Sequence, residues 1–118
     1  MKLELDTKLA EEYPRLFPQS QRPFRCGCGD GWHRLISTAC WLIDRHASSD
    51  FRWCQIKEKF GTLRMYSEGE KSEYVSGVVA MAESMSAYTC EECGDRGSRR
   101  AGGWVRTLCE RCHENEQE

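Results

Sequence analysis

Hydrophobic positions recur with a helical period in two stretches of the chain. In residues 31–46, apolar side chains recur three, four and seven positions apart. They predict one buried stripe made of Trp32, Leu35, Ile36, Ala39, Cys40 and Ile43. Asp30 directly precedes this stretch and is a favourable N-cap residue. Residues 71–88 show the same period at Tyr74, Val75, Val78, Val79, Ala82 and Met85. Because neither stripe can be buried alone, we expect the two helices to pack against each other.

Between these helices the pattern changes to that of a β-hairpin. Residues 51–57 are rich in aromatic and branched side chains, and residues 62–67 alternate apolar and polar positions. Phe60 and Gly61 lie between the two runs and mark the turn. We therefore predict an α+β fold whose core, residues 28–88, is helix, β-hairpin, helix.

The preceding residues, 1–27, carry a weaker pattern and are predicted to form an N-terminal arm. Asp6 or Thr7 can cap a short helix that runs to Tyr13, and Pro14 is expected to end it. Three apolar side chains follow among prolines and are expected to anchor an extended segment on the core: Leu16, Phe17 and Phe24. The alternative is an arm that docks on a partner.

Four cysteines near the C-terminus give the strongest chemical signal. Cys90, Cys93, Cys109 and Cys112 form two C-x2-C pairs separated by fifteen residues. This spacing is typical of a closed, four-thiolate structural zinc site, and we predict one Zn2+ in a zinc ribbon at residues 89–113. Residues 96–103 are expected to be a loop, and residues 103–108 a strand that leads to Cys109. The alternatives are two disulfides, inert buried thiols, or His113 in place of Cys112 as the fourth ligand.

A second group of cysteines is less specific. Cys26 and Cys28, together with His33, are candidate ligands of a second metal, which Cys40 and Cys54 could join. A C-x-C pair is a weaker zinc signal than C-x2-C. The alternative is that Cys40 and Cys54 pack as small apolar side chains while Cys26 and Cys28 flank a tight turn.

Charge limits the classes of partner. The formal net charge is −2, and a four-thiolate zinc site adds about two further negative charges. Residues 114–118 are predicted to form an acidic tail. Four arginines form a local basic cluster and are candidates for a nucleic-acid surface: Arg96, Arg99, Arg100 and Arg106. Because acidic residues surround them, we expect a protein partner in preference to DNA or RNA.

Compartment and surface follow from composition. No apolar run approaches 18 residues and the N-terminal residues lack a signal-peptide pattern, so we expect a cytoplasmic protein without a membrane span. Eight cysteines then indicate metal binding and reduced thiols. Further candidates for a binding surface are two tryptophans and two hairpin lysines: Trp41, Trp104, Lys57 and Lys59.

Catalysis is weakly signalled. The sequence contains no nucleophile elbow, phosphate-binding loop or His-Glu-x-x-His motif, so we expect a protein that is not an enzyme. A Cys28–His33 pair leaves open the alternative of a small enzyme or of a protein that sequesters a small ligand.

The ordered set C-G-D-G-W at residues 28–32, K-E-K-F-G-T-L-R-M-Y at residues 57–66 and the two C-x2-C pairs resembles a family of small uncharacterised proteins of phages, prophages and bacteria. The resemblance covers residues 28–112. It implies an origin in a mobile element, and it suggests a phage-encoded protein, in the host cytoplasm, that modulates a host macromolecule such as a defence system.

Overall fold

The computed structural model describes residues 1–18 and 25–117 and has an α+β fold, as predicted. The helices are α1 (Leu3–Glu12), α2 (His33–Asp44), α3 (Glu73–Ser86) and α4 (Glu110–Gln117), with a 3₁₀ turn at Asp30–Trp32 before α2. The strands are β1 (Arg52–Lys59), β2 (Thr62–Glu68), β3 (Ser98–Arg100) and β4 (Arg106–Leu108). In this part of the chain no helix is long and apolar enough to cross a membrane.

The central hairpin is confirmed. Strands β1 and β2 pair antiparallel, and Lys59 pairs with Thr62 beside the turn. Phe60 has φ 54° and Gly61 has φ 84°, which is the left-handed pair of a two-residue turn that matches strand twist. The register shifts between Trp53 and Gln55, so Cys54 lies at an irregularity and is exposed.

Helices α2 and α3 pack against each other, and α3 also packs on β2, as the two stripes predict. The stripe of α2 is buried except for Leu35, which is half-buried. The stripe of α3 runs through Val75, Val78, Val79 and Ala82 and continues at Ser86. The prediction was wrong for Tyr74 and Met85, which are exposed. They lie on the neighbouring row of the helix, beside the face that meets the sheet.

The N-terminal arm belongs to the same core. Helix α1 begins at Leu3, earlier than predicted, and Asp6 is buried inside it instead of capping it. The Asp6 carboxylate accepts hydrogen bonds from the backbone N–H of Cys26 (3.0 Å) and from Arg25 Nε (2.9 Å). Asp6 therefore links residues 25 and 26 to α1. This role depends on contact with a distant segment and not on the position of Asp6 in the helix.

The segment after α1 is a turn, not the predicted extended segment. The Leu16 N–H donates to the carbonyl of Tyr13 at 3.0 Å, and the Leu16 carbonyl accepts from the Trp53 N–H at 2.9 Å. Leu16 and Phe17 are buried in the core, as predicted, whereas Phe24 lies outside the described residues. The hydrogen bond to Trp53 explains the turn, because it brings the chain back to the hairpin.

The start of α2 also differs from the prediction. Asp30 opens the 3₁₀ turn, and its side chain accepts from the backbone N–H of Lys2 at 2.7 Å instead of capping α2. The helix then runs from His33 only to Asp44. The Asp30 side chain, which the sequence predicted as the N-cap of α2, thus accepts a hydrogen bond at the N-terminus of α1 instead.

The C-terminal module is a two-stranded sheet followed by a helix. Strands β3 and β4 pair antiparallel, with Ser98 opposite Leu108 and Arg100 opposite Arg106. Residues 98–100 are therefore a strand and not part of a loop, and β4 begins at Arg106 and not at residue 103. Pairing with β4 explains the first difference. The residues predicted as an acidic tail continue α4 as far as Gln117.

Candidate metal centre

The four C-terminal cysteines converge on one point. The sulfur atoms of Cys90, Cys93, Cys109 and Cys112 all lie within 4.8 Å of one another. In residues 1–18 and 25–117 this is the one group of three or more cysteine, histidine or acidic side chains arranged in this way. His113, the alternative fourth ligand, is not part of the group.

Local structure explains how each pair of cysteines is aimed. Cys90 and Cys93 flank a turn that the Gly94 N–H closes on the Cys90 carbonyl at 2.9 Å, and Gly94 has φ 85°. A side chain would strain that conformation, which is why glycine follows the pair. Cys109 directly follows β4 and Cys112 lies in the first turn of α4, so a strand and a helix fix the second pair.

Hydrogen bonding favours the thiolate form of one of the four cysteines, Cys109. The backbone N–H of Cys112 donates to the sulfur of Cys109 at 3.4 Å and lowers the pKa of Cys109 to about 7. Metals bind the thiolate and not the thiol. Cys109 is therefore the thiol of the group that most readily loses its proton to an incoming cation, whereas burial raises the pKa of Cys112 to about 12.

The spacing of the sulfur atoms fits a tetrahedral ion. Four sulfur atoms about 2.3 Å from a central ion lie about 3.8 Å apart from one another. The sulfur atoms of Cys93 and Cys109 are separated by 3.7 Å. Cys90, Cys109 and Cys112 are buried and Cys93 is exposed at the surface. Four protein ligands leave no position for a substrate, so the geometry is that of a structural site.

The metal module is joined to the core through two glycines and a tryptophan. The Gly31 N–H donates to the Glu91 carbonyl at 2.7 Å, and the Gly29 N–H donates to the Glu91 carboxylate at 2.9 Å. The buried Trp32 indole donates to the Thr89 carbonyl at 2.8 Å. A β-carbon on Gly31 would lie 2.6 Å from the carbonyl carbon of Glu91 and closer still to the Cys90 carbonyl oxygen. The C-G-D-G-W motif, residues 28–32, is therefore the part of the core against which the metal module packs.

Glu91 was not predicted as a functional residue. Its side chain is 8% exposed, and burial raises its pKa even though Gly29 and Arg106 favour the charged form. In the sequence Glu91 is one of several acidic residues near the cysteines, and nothing distinguishes it from them. The one available signal was the pair of glycines at residues 29 and 31, which permits another segment of backbone to come close.

The hairpin turn also contacts the metal module. The Thr107 hydroxyl donates to the Gly61 carbonyl at 2.6 Å, and Arg99 donates to the Phe60 carbonyl at 2.7 Å. Thr107 is fully buried at this contact. The module is therefore held at two separate places, one at each of its cysteine pairs.

The second group of cysteines does not form another such cluster among the described residues. Cys26, Cys28 and Cys40 are buried, and burial raises their pKa values, to about 12 for Cys28 and for Cys40. His33 is half-buried, and burial lowers its pKa. The three buried thiols are thus protonated at neutral pH and pack in the core, as the alternative interpretation holds for Cys40.

Most of the arginine cluster is engaged within the chain. Arg106 lies 2.6 Å from Glu116, 3.6 Å from Glu92 and 3.8 Å from Glu91. Arg100 donates to the Leu108 carbonyl at 3.2 Å, while Arg96 is exposed.

The other candidate surface residues lie on three different parts of the fold, namely α2, β1 and the segment between β3 and β4. Trp41 is about half exposed, with the Arg45 guanidinium 4.6 Å from its ring centroid, and Trp104 is 75% exposed. Lys57 is half-buried, and the exposed Lys59 ammonium lies 5.7 Å from the Phe60 ring centroid.

An apolar groove between α2 and α3 was not predicted. It has a volume of about 180 Å³ and is lined by Arg34, Leu35, Thr38, Ala39, Leu42, Val78, Met81, Ala82 and Met85. Met81 is 55% exposed and Met85 48%. The helical period predicted that Met85 is buried in the core. Because Met85 instead forms part of the wall of the groove, the sequence pattern did not reveal the groove.

Comparison of the chain with models of protein families, with curated proteins and with solved structures gives no match.

Proposed function

We propose that the four-cysteine cluster holds one Zn2+ and that this ion stabilises a protein whose role is to dock on another protein. The all-sulfur donor set supports zinc, which has no geometric preference of its own and is bound tetrahedrally by four thiolates in structural sites. The 3.7 Å separation of Cys93 and Cys109 fits that ion.

Zinc content is tested on freshly purified protein. We expect one zinc per chain by elemental analysis, and loss of the β3–β4 module on chelation, because such sites contribute folding energy directly. Protein that contains no zinc, or that keeps its structure after chelation, contradicts this part. Two zinc ions per chain would support the Cys26–Cys28 site.

The groove between α2 and α3 carries the docking proposal. Helices of one protein often bind an apolar groove between two helices of another through side chains three, four and seven residues apart. Met81 and Met85 lie one turn apart on one wall, and methionine adapts to the shape of a bound side chain. We therefore assign the groove to an amphipathic helix of a partner protein.

Charge narrows the partner further. Arg34 and Trp41 lie seven residues apart in α2, and Arg45 directly follows the helix, so the three side chains share one row of its surface. Arg34 also lines the groove. Neither arginine forms an ion pair within the described residues. Acidic side chains on a bound helix would pair with both of them. The partner is thus a helix with an apolar face flanked by aspartate or glutamate.

The resemblance of the motifs to those of phage and prophage proteins suggests a biological setting. We propose that the protein is phage-encoded and acts in the host cytoplasm on a host protein, such as a component of a defence system. The ion pairs of Arg106 with Glu91, Glu92 and Glu116 support a protein partner over a nucleic acid, because these acids neutralise that cation and repel phosphate. Arg99 and Arg100 donate to backbone carbonyls and keep their charge.

The test is capture of a host protein by tagged variants. The substitutions Met81→Asp and Arg34→Glu should each abolish capture of a protein that the wild-type chain retains. Leu3→Asp, which alters an exposed apolar side chain outside the groove, should leave capture intact. Capture that survives both groove variants refutes the assignment. Sub-micromolar binding of DNA or RNA near physiological salt, lost in an Arg99→Ala and Arg100→Ala variant, would favour a nucleic-acid partner instead.

A further inference from the structure

A second cavity lies between the hairpin and the metal module and shares no lining residue with the groove. It has a volume of about 290 Å³ and is lined by Gly27, Glu58, Glu91, Trp104, Arg106 and Glu116. Three carboxylates and one guanidinium thus surround it. At neutral pH the formal charge of these groups is negative, so the cavity attracts cations.

In this wall one guanidinium, that of Arg106, lies close to three carboxylates. Arg106 is the cation that faces Glu91, Glu92 and Glu116, and only its contact with Glu116, at 2.6 Å, is within hydrogen-bond distance. The Glu91 side chain is 92% buried, since 8% of it is exposed. Its Oε1 atom has no hydrogen-bond partner among the described residues, while Oε2 accepts from Gly29. A buried carboxylate oxygen left in this state is costly unless a donor reaches it.

The carboxylates of this cavity are not grouped as ligands of a bare metal ion. A metal needs ligand atoms that all lie close to one another, and the carboxylates of Glu58, Glu91 and Glu116 do not form such a group within the described chain. An ammonium or guanidinium group on an alkyl chain spans a wider set of acceptors, because it carries several N–H donors. The cavity volume also suits a small organic group.

Trp104 supplies the second element of recognition. It lines the cavity and yet is 75% exposed, so most of its indole is open to solvent. The face of an indole attracts organic cations, and tryptophan does so more strongly than the other aromatic side chains.

We propose that this cavity binds one organic cation, the guanidinium or ammonium group of an alkyl chain, with Glu58 and Glu91 as its anionic ligands and Trp104 as its aromatic wall. The cation is either a free small molecule or an arginine or lysine side chain of a polypeptide. Both sources present the same chemistry, and the experiment separates them.

The proposal is tested by ¹⁵N-resolved NMR titration of the protein as purified. The probes are agmatine, a capped arginine dipeptide, and the same dipeptide with citrulline, which has nearly the shape of arginine but no charge. We expect saturable shifts of the Trp104 indole and Gly27 amide signals, with a Kd at or below about 1 mM for a charged probe. A Kd for the arginine dipeptide about tenfold below that of agmatine assigns the site to a polypeptide, and the reverse order or equality assigns it to a free cation.

Matched variants show which groups bind. Glu58→Gln should weaken binding about tenfold or more through loss of a charge-assisted hydrogen bond. Trp104→Ala should weaken it about two- to fivefold. Glu114→Gln removes the same charge from an exposed position on α4 outside the cavity and should leave the Kd unchanged. Spectra of each variant without ligand show that the fold is kept.

Three results would overturn the proposal. They are the absence of shifts at about 10 mM probe, equal binding of the citrulline and arginine dipeptides, and a Kd that Glu58→Gln and Glu114→Gln alter alike. The last would show that the effect is long-range charge and not a contact in the cavity.

Discussion

Replacing Gly31 with alanine should separate the core from the metal module. The added β-carbon would lie 2.6 Å from the carbonyl carbon of Glu91, whereas carbon atoms in contact are about 3.5 Å apart or more. Backbone lies on both sides of this contact, so no side chain can turn aside to relieve it. The two segments must therefore move apart by about 1 Å.

This displacement reaches three hydrogen bonds. The Gly31 N–H bond to the Glu91 carbonyl, now 2.7 Å, would lengthen beyond the range of a hydrogen bond. The bonds from Gly29 to the Glu91 carboxylate and from Trp32 to the Thr89 carbonyl span the same junction. At about 1 kcal/mol each, with disturbed packing of the buried Trp32 added, the free energy of unfolding should fall by about 3–5 kcal/mol.

A second glycine provides the control. Gly77 lies inside α3, and a β-carbon there would meet nothing within 4 Å. Gly77→Ala should therefore raise the free energy of unfolding by about 0.5–1 kcal/mol, since alanine favours the helix. The same change of side chain is thus expected to have opposite signs at the two positions.

The assay is equilibrium unfolding in urea, followed by far-ultraviolet circular dichroism and by tryptophan fluorescence. A loss of less than about 1 kcal/mol in Gly31→Ala would refute the argument from close approach. A large loss in Gly77→Ala would show that the two substitutions act through something other than local contacts.

Three further predictions concern Ser86, Ile36 and His33. Ser86→Ala should cost about 1–3 kcal/mol, because it leaves the buried Leu63 N–H, now 2.8 Å from the serine oxygen, without an acceptor; a neutral effect in urea unfolding would contradict this. Ile36→Ala should cost about 2–5 kcal/mol in the same assay, because Ile36 is fully buried, and a cost below about 1 kcal/mol would place it at the surface. Burial lowers the pKa of His33, so the folded state binds its proton less readily than the unfolded state and stability is lost as the pH falls below about 6.5. His33→Gln should flatten the fall in Tm between about pH 7.5 and pH 5 relative to wild type, and an equal fall in both proteins would contradict this.

The sequence predicted the elements that chemistry or periodicity controls locally. The stripes of α2 and α3 identified both helices, and the Phe60–Gly61 pair marked the turn. The four cysteines were found because a tetrahedral ion requires paired ligands at short spacing. At the end of α3 the pattern misled, since the buried position is Ser86, whose hydroxyl is satisfied by the hairpin and whose polarity hides its place in the stripe.

The residues that the sequence did not reveal depend on contacts between distant segments. Asp6 resembles an N-cap until Cys26 and Arg25 are seen to donate to it from twenty residues away. Glu91 resembles a surface acid until Gly29 and Gly31 are seen to approach its backbone. Neither approach follows from local composition, because the first needs α1 to pack against residues 25 and 26 and the second needs the 3₁₀ turn to pack against the metal module.

The contact between the hairpin turn and β4 bears on how the protein can be tagged. A two-residue hairpin turn is usually an exposed loop tip, where inserted sequence is tolerated. Here the carbonyls of Phe60 and Gly61 are both hydrogen-bonded to the metal module, so an insertion at this turn would push the module away from the core. Gly102 and Gly103 have open space around them, and the loop that contains them is the better place for a fluorescent or affinity peptide.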